Sequence, residues 1–165
     1  MWLQVPGVTS TSVGYTGGHH AKPTYEDVSS GDSGHAEAVL VKFDPAQVSY
    51  EKLLHLFWDK HDPTTPNQQG NDQGSQYRSA VFYFSVAQRK TAESVSALRQ
   101  KGLSQDIVTE IKSVQKYHEA EGYHQQYLEK LGQTAAKGDA SPIRCYGPSS
   151  PAHPLLHPIW AAKRM

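Results

Sequence analysis

The sequence predicts an α/β (α+β) fold in which helices pack against a mixed β-sheet in two layers. Two observations predict it. Stretches with strand-like and helix-like patterns interleave along the chain, and the 165 residues, 37% of them hydrophobic, are sized for one domain with a single core. The single cysteine, Cys145, rules out any disulfide within the chain.

The first part of the chain predicts a strand, a loop and a second strand. Residues 9–15 alternate as a short strand does, and the glycine-rich residues 18–34 have the composition of a long loop. Residues 35–43, HAEAVLVKF, then alternate with a period of two. This alternation places Glu37 on the same strand face as Val39 and the apolar side chains that follow it.

The middle of the chain predicts a helix, a loop, a strand and a second helix. Ser49 can cap a helix whose apolar side chains recur at helical spacing up to the next proline. Residues 64–76 have a loop composition, and residues 80–84 form a compact β-prone run. Ser85 begins an amphipathic helix that Gly102 can end.

The last part of the chain predicts a strand over residues 107–111 and a short final helix, on which Tyr123 and Tyr127 lie one turn apart. Residues 148–165, PSSPAHPLLHPIWAAKRM, contain four prolines, which deny regular pairing. We therefore expect one domain over residues 1–147 and a proline-rich, disordered tail over residues 148–165.

Glu37 is the first candidate for chemistry. A carboxylic acid on an apolar strand face is desolvated, which raises its pKa and lets it hold a proton near neutral pH, as a general acid must. The alternative interpretation is that Glu37 lies at the strand end and pairs with a nearby cation or backbone amide.

Four motifs carry a resemblance to a known family. They are GYTGG at residues 14–18, PTYEDVSSGDSGHAEAV at 23–39, HDPTTPNQQGNDQGSQYRSA at 61–80 and YHQQYLEK at 123–130. Together they resemble the peptide methionine sulfoxide reductase family of the A type, over most of the chain from about residue 5 to residue 147. The resemblance implies a ferredoxin-like version of the predicted α/β sandwich.

The resemblance also implies roles for individual residues. Glu37 matches the glutamate thought to protonate the sulfoxide oxygen, and Tyr25 and Tyr77 match two tyrosines that hydrogen-bond that oxygen. Asp72 matches an aspartate near the pocket; its alternative role is to cap a local turn. His35 completes the Gly-His-Ala-Glu run and is a candidate for substrate binding, with shaping the strand entry as its alternative.

The family's mechanism begins with a cysteine thiolate that attacks the sulfoxide sulfur, and it ends with a disulfide that thioredoxin or another thiol reduces. The attacking cysteine belongs to a Gly-Cys-Phe-Trp motif shortly before the segment that matches residues 6–8. We therefore expect the nucleophile, a first strand and part of a first helix to be missing from this chain. Cys145 matches a recycling cysteine, and we expect the chain as written to be inactive.

Two further interpretations stay open. One is a non-catalytic module that binds methionine sulfoxide in partner proteins. The other is an incomplete translation of a complete reductase. A zinc deaminase is rejected because the His35-x-Glu37 pair lacks the required downstream Pro-Cys-x-x-Cys.

Composition suggests the partners. Sixteen basic and sixteen acidic residues cancel, which argues against nucleic acid or a membrane surface. We expect no bound metal or other cofactor, and a monomer that is cytoplasmic by default. Its partners by resemblance are oxidised proteins or free methionine sulfoxide as substrate, and thioredoxin as reductant.

Overall fold

The structure, a computed structural model, describes residues 2–125 and the backbone of residues 159–164. Cys145, the predicted final helix beyond Gln125 and most of the proline-rich tail lie outside the described residues.

Strands and helices interleave along the described chain. They are β1 (Val8–Thr16), α1 (Tyr25–Ser29), β2 (Ala36–Phe43), α2 (Tyr50–Trp58), β3 (Gln68–Gln69), β4 (Asp72–Gln73), β5 (Ala80–Tyr83), α3 (Val86–Gln100), β6 (Glu110–Ser113), β7 (His118–Glu119) and β8 (Ile159–Arg164). Short 3₁₀ helices lie at Trp2–Gln4 and Ser75–Tyr77.

Six of the strands form one mixed sheet in the order β6-β5-β8-β2-β1-β7. The pairs β2–β8, β8–β5 and β5–β6 are parallel, whereas β1 is antiparallel to both β2 and β7. Strands β3 and β4 form a separate small hairpin. The predicted fold class, helices against a mixed sheet, is confirmed.

Side-chain caps begin the two longer helices where the sequence predicts them. The Ser49 hydroxyl accepts a hydrogen bond from the Lys52 backbone N–H at 3.1 Å, and Ser85 accepts one from Gln88 at 3.2 Å. Each bond satisfies one of the backbone donors that a helix N-terminus leaves over.

The expectation of one continuous loop over residues 18–34 is wrong, because this segment contains α1. Thr24 accepts from the Asp27 backbone N–H, and the Asp27 carboxylate accepts from the Thr24 backbone N–H at 2.8 Å. The pair is a capping box in which aspartate replaces the usual glutamate. A threonine followed three residues later by an acidic residue is a helix-start pattern, and it was present within a segment of loop-like composition.

The main core lies between the sheet and helices α2 and α3. Its buried side chains are Phe43, Val48, Leu53, Leu54, Phe57, Trp58, Val81, Ala92 and Val95. Strand alternation puts Glu37 on the same face of β2 as Phe43, toward the other end of the strand. The opposite face is buried too, because Ala36 and Ala38 pack against Ala80 and Phe82. Both faces of β2 are therefore buried, whereas the alternation in the sequence indicates only one buried face.

The end of the tail differs from the expectation of no regular pairing. Ile159–Arg164 forms β8, in the centre of the sheet between β5 and β2. The physical reason is local, since the prolines stop at Pro158 and the next six residues all keep their backbone N–H donors.

Candidate active site

A pocket opens beside the start of β2, where β1 and β2 pair. Its volume is about 340 Å³, including the part that is open to solvent. Tyr15 and Glu37 are opposite each other in the register of the two strands, and both line it. The full lining is Val13, Gly14, Tyr15, Tyr25, Glu37, Ala38, Val39, Ala120 and His124.

Glu37 is a buried acid in this pocket. Its residue is 7% exposed, and burial, with a smaller contribution from the negative charge of Asp72, raises the pKa of its carboxyl to about 8. Both causes favour the protonated form, and neither is a neighbouring cation. At neutral pH Glu37 therefore carries a proton that it can donate, as the general-acid interpretation of the sequence requires.

Tyr25 and Tyr77 come from separate segments that hydrogen bonds hold together. Tyr25 begins α1, and Tyr77 ends the 3₁₀ helix Ser75–Tyr77. The Gln76 side-chain amide donates to the Ser29 carbonyl at 3.3 Å, and the Ser75 hydroxyl donates to the Gly31 carbonyl at 3.3 Å. These bonds join the turn that carries Tyr77 to the C-terminal end of α1.

The pKa of Tyr77 depends on the charges of the other predicted site residues. Burial is the largest cause that raises the pKa of Tyr77, and the charges of Glu37, Tyr25 and Asp72 raise it further. The phenol thus stays protonated and can donate a hydrogen bond throughout the physiological range. Of the predicted residues, Glu37 and Tyr25 line the pocket. The charge of Asp72 raises the pKa of Glu37, and the charge of Glu37 raises the pKa of Tyr77.

The β3–β4 hairpin positions Asp72 and returns the chain to Tyr77. The Gly74 N–H donates to the Asn67 carbonyl at 2.8 Å, and the Tyr77 N–H donates to the Gly74 carbonyl at 3.0 Å. Gly74 has a φ of +145°, a backbone conformation that residues with a Cβ rarely adopt. The turn therefore favours glycine at this position.

His35 is buried behind the pocket and bonds to the backbone with both ring nitrogens. Nδ1 accepts from the Gly18 N–H at 3.2 Å, so Nε2 carries the proton and donates to the His20 carbonyl at 2.8 Å. These bonds hold residues 18–20 against the segment that leads into β2. His35 therefore has the structural role that the sequence analysis gave as its alternative. The contact of His35 with substrate stays a prediction.

Glu121 is a residue of the site that the sequence reasoning missed. Its Oε2 accepts from the Tyr15 phenol at 2.8 Å, and its Oε1 accepts from the Tyr25 backbone N–H at 2.9 Å. Burial raises the pKa of Glu121, but these and its other hydrogen bonds outweigh burial, so the pKa lies below its usual value. One ionised carboxylate therefore joins β1 to the start of α1.

His124 was missed as well. Its ring lies 4.8 Å from the Tyr25 ring, and burial lowers its pKa despite the nearby Glu121 carboxylate. Neutral His124 forms a wall of the pocket. The available signal was position in the sequence, since His124 lies within the fourth matched motif and Glu121 lies two residues before it.

Arg78 clamps three segments around the site. Its guanidinium donates to the Ser75 carbonyl at 2.7 Å, to the Gly34 carbonyl at 3.1 Å and to the Glu110 carboxylate at 3.1 Å. The side chain thus fixes the turn before Tyr77 to the loop before β2 and to β6. Its signal in the sequence was its place directly after Tyr77.

Within residues 2–125, no group of three or more histidine, cysteine, aspartate or glutamate side chains is arranged to hold a metal ion. Among the helices of the described residues, none has the length and apolar character needed to cross a bilayer. The described polar side chains that line the pocket are the protonated acid of Glu37, the phenols of Tyr15 and Tyr25, and the His124 ring. Such donors, fixed in advance, suit a substrate oxygen that carries partial negative charge.

Comparisons with known proteins agree with this chemistry. The family model of peptide methionine sulfoxide reductase matches residues 1–144. The chain is 52% identical over 146 residues to peptide methionine sulfoxide reductase A2-1 of Oryza sativa subsp. japonica, and the match covers 88% of this chain and 78% of that protein. It is 50% identical over 151 residues to the chloroplastic peptide methionine sulfoxide reductase A4 of Arabidopsis thaliana, where the match covers 88% of this chain and 58% of the relative.

Solved structures show the same fold. Mxr1 from Saccharomyces cerevisiae in reduced form superposes with a TM-score of 0.72 at 34% identity, covering 77% of this chain and 74% of that one. Methionine sulfoxide reductase A of Corynebacterium diphtheriae gives a TM-score of 0.69 at 34% identity, covering 90% and 76%. The chain belongs to the peptide methionine sulfoxide reductase family, and the resemblance that the motifs indicate is confirmed.

Proposed function

We propose that this chain carries the substrate pocket of a thiol-dependent methionine S-sulfoxide reductase. In this proposal Glu37 protonates the sulfoxide oxygen, and Tyr25 and Tyr77 donate hydrogen bonds to it. One observation carries the proposal: a carboxyl that burial keeps protonated at neutral pH lines an open pocket beside a tyrosine. Asp72 contributes by raising the pKa of Glu37, which keeps the proton in place.

The complete reaction needs two thiols and one acid. A thiolate attacks the sulfoxide sulfur and forms an S–S bond while the sulfoxide oxygen takes a proton from Glu37. The S–S bond and the bond from the substrate sulfur to oxygen then break, and the resulting hydroxyl group bonds to the attacking sulfur. The products of this step are methionine and a sulfenic acid. A second thiol then displaces the hydroxyl group to form a disulfide and water, and thioredoxin or another thiol reduces that disulfide.

The 165 residues contain a single thiol, that of Cys145, which the resemblance assigns to the recycling step. We therefore propose that the chain by itself binds methionine S-sulfoxide and does not reduce it. This single thiol also favours the second candidate function, a non-catalytic module that recognises methionine sulfoxide.

A binding titration and a turnover assay on the same 165-residue protein test the proposal. Free methionine S-sulfoxide, the R epimer and methionine are titrated separately while the pocket resonances are followed by NMR. We expect saturable binding of the S epimer, weaker binding of methionine and, with dithiothreitol, no methionine product.

Each failure has its own meaning. Equal binding of sulfoxide and methionine would show that the donors do not recognise the S–O group. Product formation would overturn the proposed inactivity, and Cys145→Ser would show whether Cys145 supplies the thiol. Glu37→Ala is the control variant, in which the preference for sulfoxide over methionine should be lost.

A further inference from the structure

The two halves of the main sheet are joined through β8. One half is β7-β1-β2 and the other is β5-β6, and β8 pairs in parallel with β2 on one side and with β5 on the other. Among the described strands, β2 and β5 do not pair with each other directly. The space between them is a slot for one extended segment, which we call the β2–β5 slot.

The strands that flank the slot are buried. On β2, Val41 and Phe43 are 0% and 1% exposed, and on β5 Val81 and Phe82 are both 0% exposed. Backbone N–H and C=O groups at such positions need hydrogen-bond partners, because water does not reach them. The β2–β5 slot therefore selects an extended segment with a full set of backbone donors and acceptors.

Residues 159–164 meet this requirement. The register pairs Trp160 with Val39 and Ala162 with Val41 on β2, and Ile159 with Ala80 on β5. Proline is confined to the segment before β8, with Pro158 directly preceding Ile159. No proline follows Pro158, so residues 159–164 all keep the backbone N–H donors that strand pairing needs.

The covalent connection to the slot is long. Thirty-three residues, 126–158, separate the last described residue before the tail from β8. The entropy cost of closing a connection rises only slowly with its length, and a tether of a few tens of residues corresponds to an effective concentration of about millimolar. A second copy of the chain at comparable concentration then competes for the same slot.

We propose that β8 is an exchangeable strand, and that the β2–β5 slot binds the Ile159–Arg164 segment of a second copy of this chain to give a strand-swapped dimer. Each copy donates β8 and receives the β8 of its partner, so that the interface is closed and symmetric. At low concentration each chain fills its own slot and is a monomer. The slot lies directly beside β2, the strand that carries Glu37, so the exchange takes place next to the pocket.

A disulfide trap tests the exchange. Leu40 and Ala161 are register partners in β2 and β8. Adjacent strands lie about 4.8 Å apart, within the Cα separation of roughly 4.4–6.8 Å that a disulfide accepts. Two full-length proteins, Leu40→Cys and Ala161→Cys, are made in a Cys145→Ser background, mixed at about millimolar concentration and oxidised.

Two controls keep the outcome unambiguous. A single chain that carries both Leu40→Cys and Ala161→Cys should cross-link within itself at low concentration, which verifies the register. Leu40→Cys mixed with Ala152→Cys measures random collision, since Ala152 lies before β8 in the sequence.

We expect the register pair to give at least about tenfold more interchain cross-link than the Ala152 pair, because only swapped strands hold the sulfurs at bonding distance. The yield should rise with protein concentration. An intrachain cross-link in the double variant with no excess between chains would overturn the exchange. Absence of the intrachain cross-link would overturn the slot itself.

Discussion

Tyr15 and Glu37 are register partners on adjacent antiparallel strands, and both line the same pocket. Side chains opposite each other on such strands have Cβ atoms about 5 Å apart. After burial and the contact with Glu121, the charge of Glu37 further raises the pKa of Tyr15. Burial is the largest cause of both shifts, so the phenol and the acid both stay protonated at neutral pH.

Tyr77→Phe is expected to weaken the binding of methionine S-sulfoxide by roughly fivefold, since one neutral hydrogen bond contributes about 1 kcal/mol. Removing the Tyr25 hydroxyl with Tyr25→Phe should have an effect of similar size. Binding of methionine, which lacks the oxygen, should change little in either variant. Isothermal calorimetry with both ligands measures the difference.

Tyr117→Phe is the matched control for these variants. The Tyr117 hydroxyl is paired with the Ser12 hydroxyl at 3.0 Å, and Tyr117, unlike Tyr77, has a pKa that the charge of Glu37 does not raise. It should bind sulfoxide as the unchanged protein does. Equal losses in Tyr77→Phe and Tyr117→Phe would mean that the tyrosines act through stability alone.

Glu121→Gln is expected to destabilise the fold by about 1–3 kcal/mol. The reason is that the new amide NH₂ group would face either the Tyr15 phenol or the Tyr25 backbone N–H, each of which donates to Glu121. The variant should also bind methionine sulfoxide more weakly, since the start of α1 with Tyr25 is no longer held to β1. Chemical denaturation and ligand titration measure the two effects. Exposed Glu119→Gln on β7 is the control, and a loss of the same size there would contradict this role for Glu121.

His61 predicts a pH dependence of stability. Its Nδ1–H donates to the Phe57 carbonyl at 2.8 Å and its Nε2 accepts from the Ser79 hydroxyl at 2.8 Å. Burial lowers the pKa of His61 to about 4, so His61 is neutral in the folded protein above that pH. The unfolded chain takes up a proton below a pH of about 6.5, and stability should therefore fall by about 3 kcal/mol between pH 6.5 and 4.

Urea unfolding at a series of pH values checks this dependence. His61→Asn should flatten the acid slope, while His55→Gln, a variant of a half-exposed histidine on α2, should leave it unchanged. An identical slope in His61→Asn and the unchanged protein would assign the dependence to other groups.

Ala161→Pro is expected to destabilise the fold by about 3 kcal/mol or more, because proline in a central strand removes a donor and does not fit the ladder. Thermal unfolding compares it with Ala152→Pro, which lies before β8. Equal melting temperatures for the two variants would show that β8 does not stabilise the sheet.

Local patterns in the sequence predicted much of the fold. Ser49 and Ser85 cap α2 and α3 because a cap needs only residues within one turn. Glu37 was found because period-two alternation fixes which side chains share a strand face. The same alternation could not show that Ala36 and Ala38 are also buried, since that depends on packing with β5.

Long-range contacts account for what sequence reasoning missed. Glu121 reaches Tyr15 and Tyr25 across about a hundred residues of chain, and no local spacing indicates such a pairing. The position of β8 likewise depends on a slot formed by β2 and β5, which are themselves distant in sequence. The four prolines of residues 148–165 dominate the composition of the tail, so composition alone predicts disorder there and not a strand.

In the proposed reaction, Glu37 holds a proton at neutral pH and donates it toward the substrate oxygen. The most direct measurement is an NMR titration of the Glu37 side-chain carboxyl carbon, assigned by its loss in Glu37→Gln. Burial and the charge of Asp72 predict a pKa of about 8. A pKa near 4.3, the value of a solvated glutamate, would mean that the acid is ionised at neutral pH and would contradict the account.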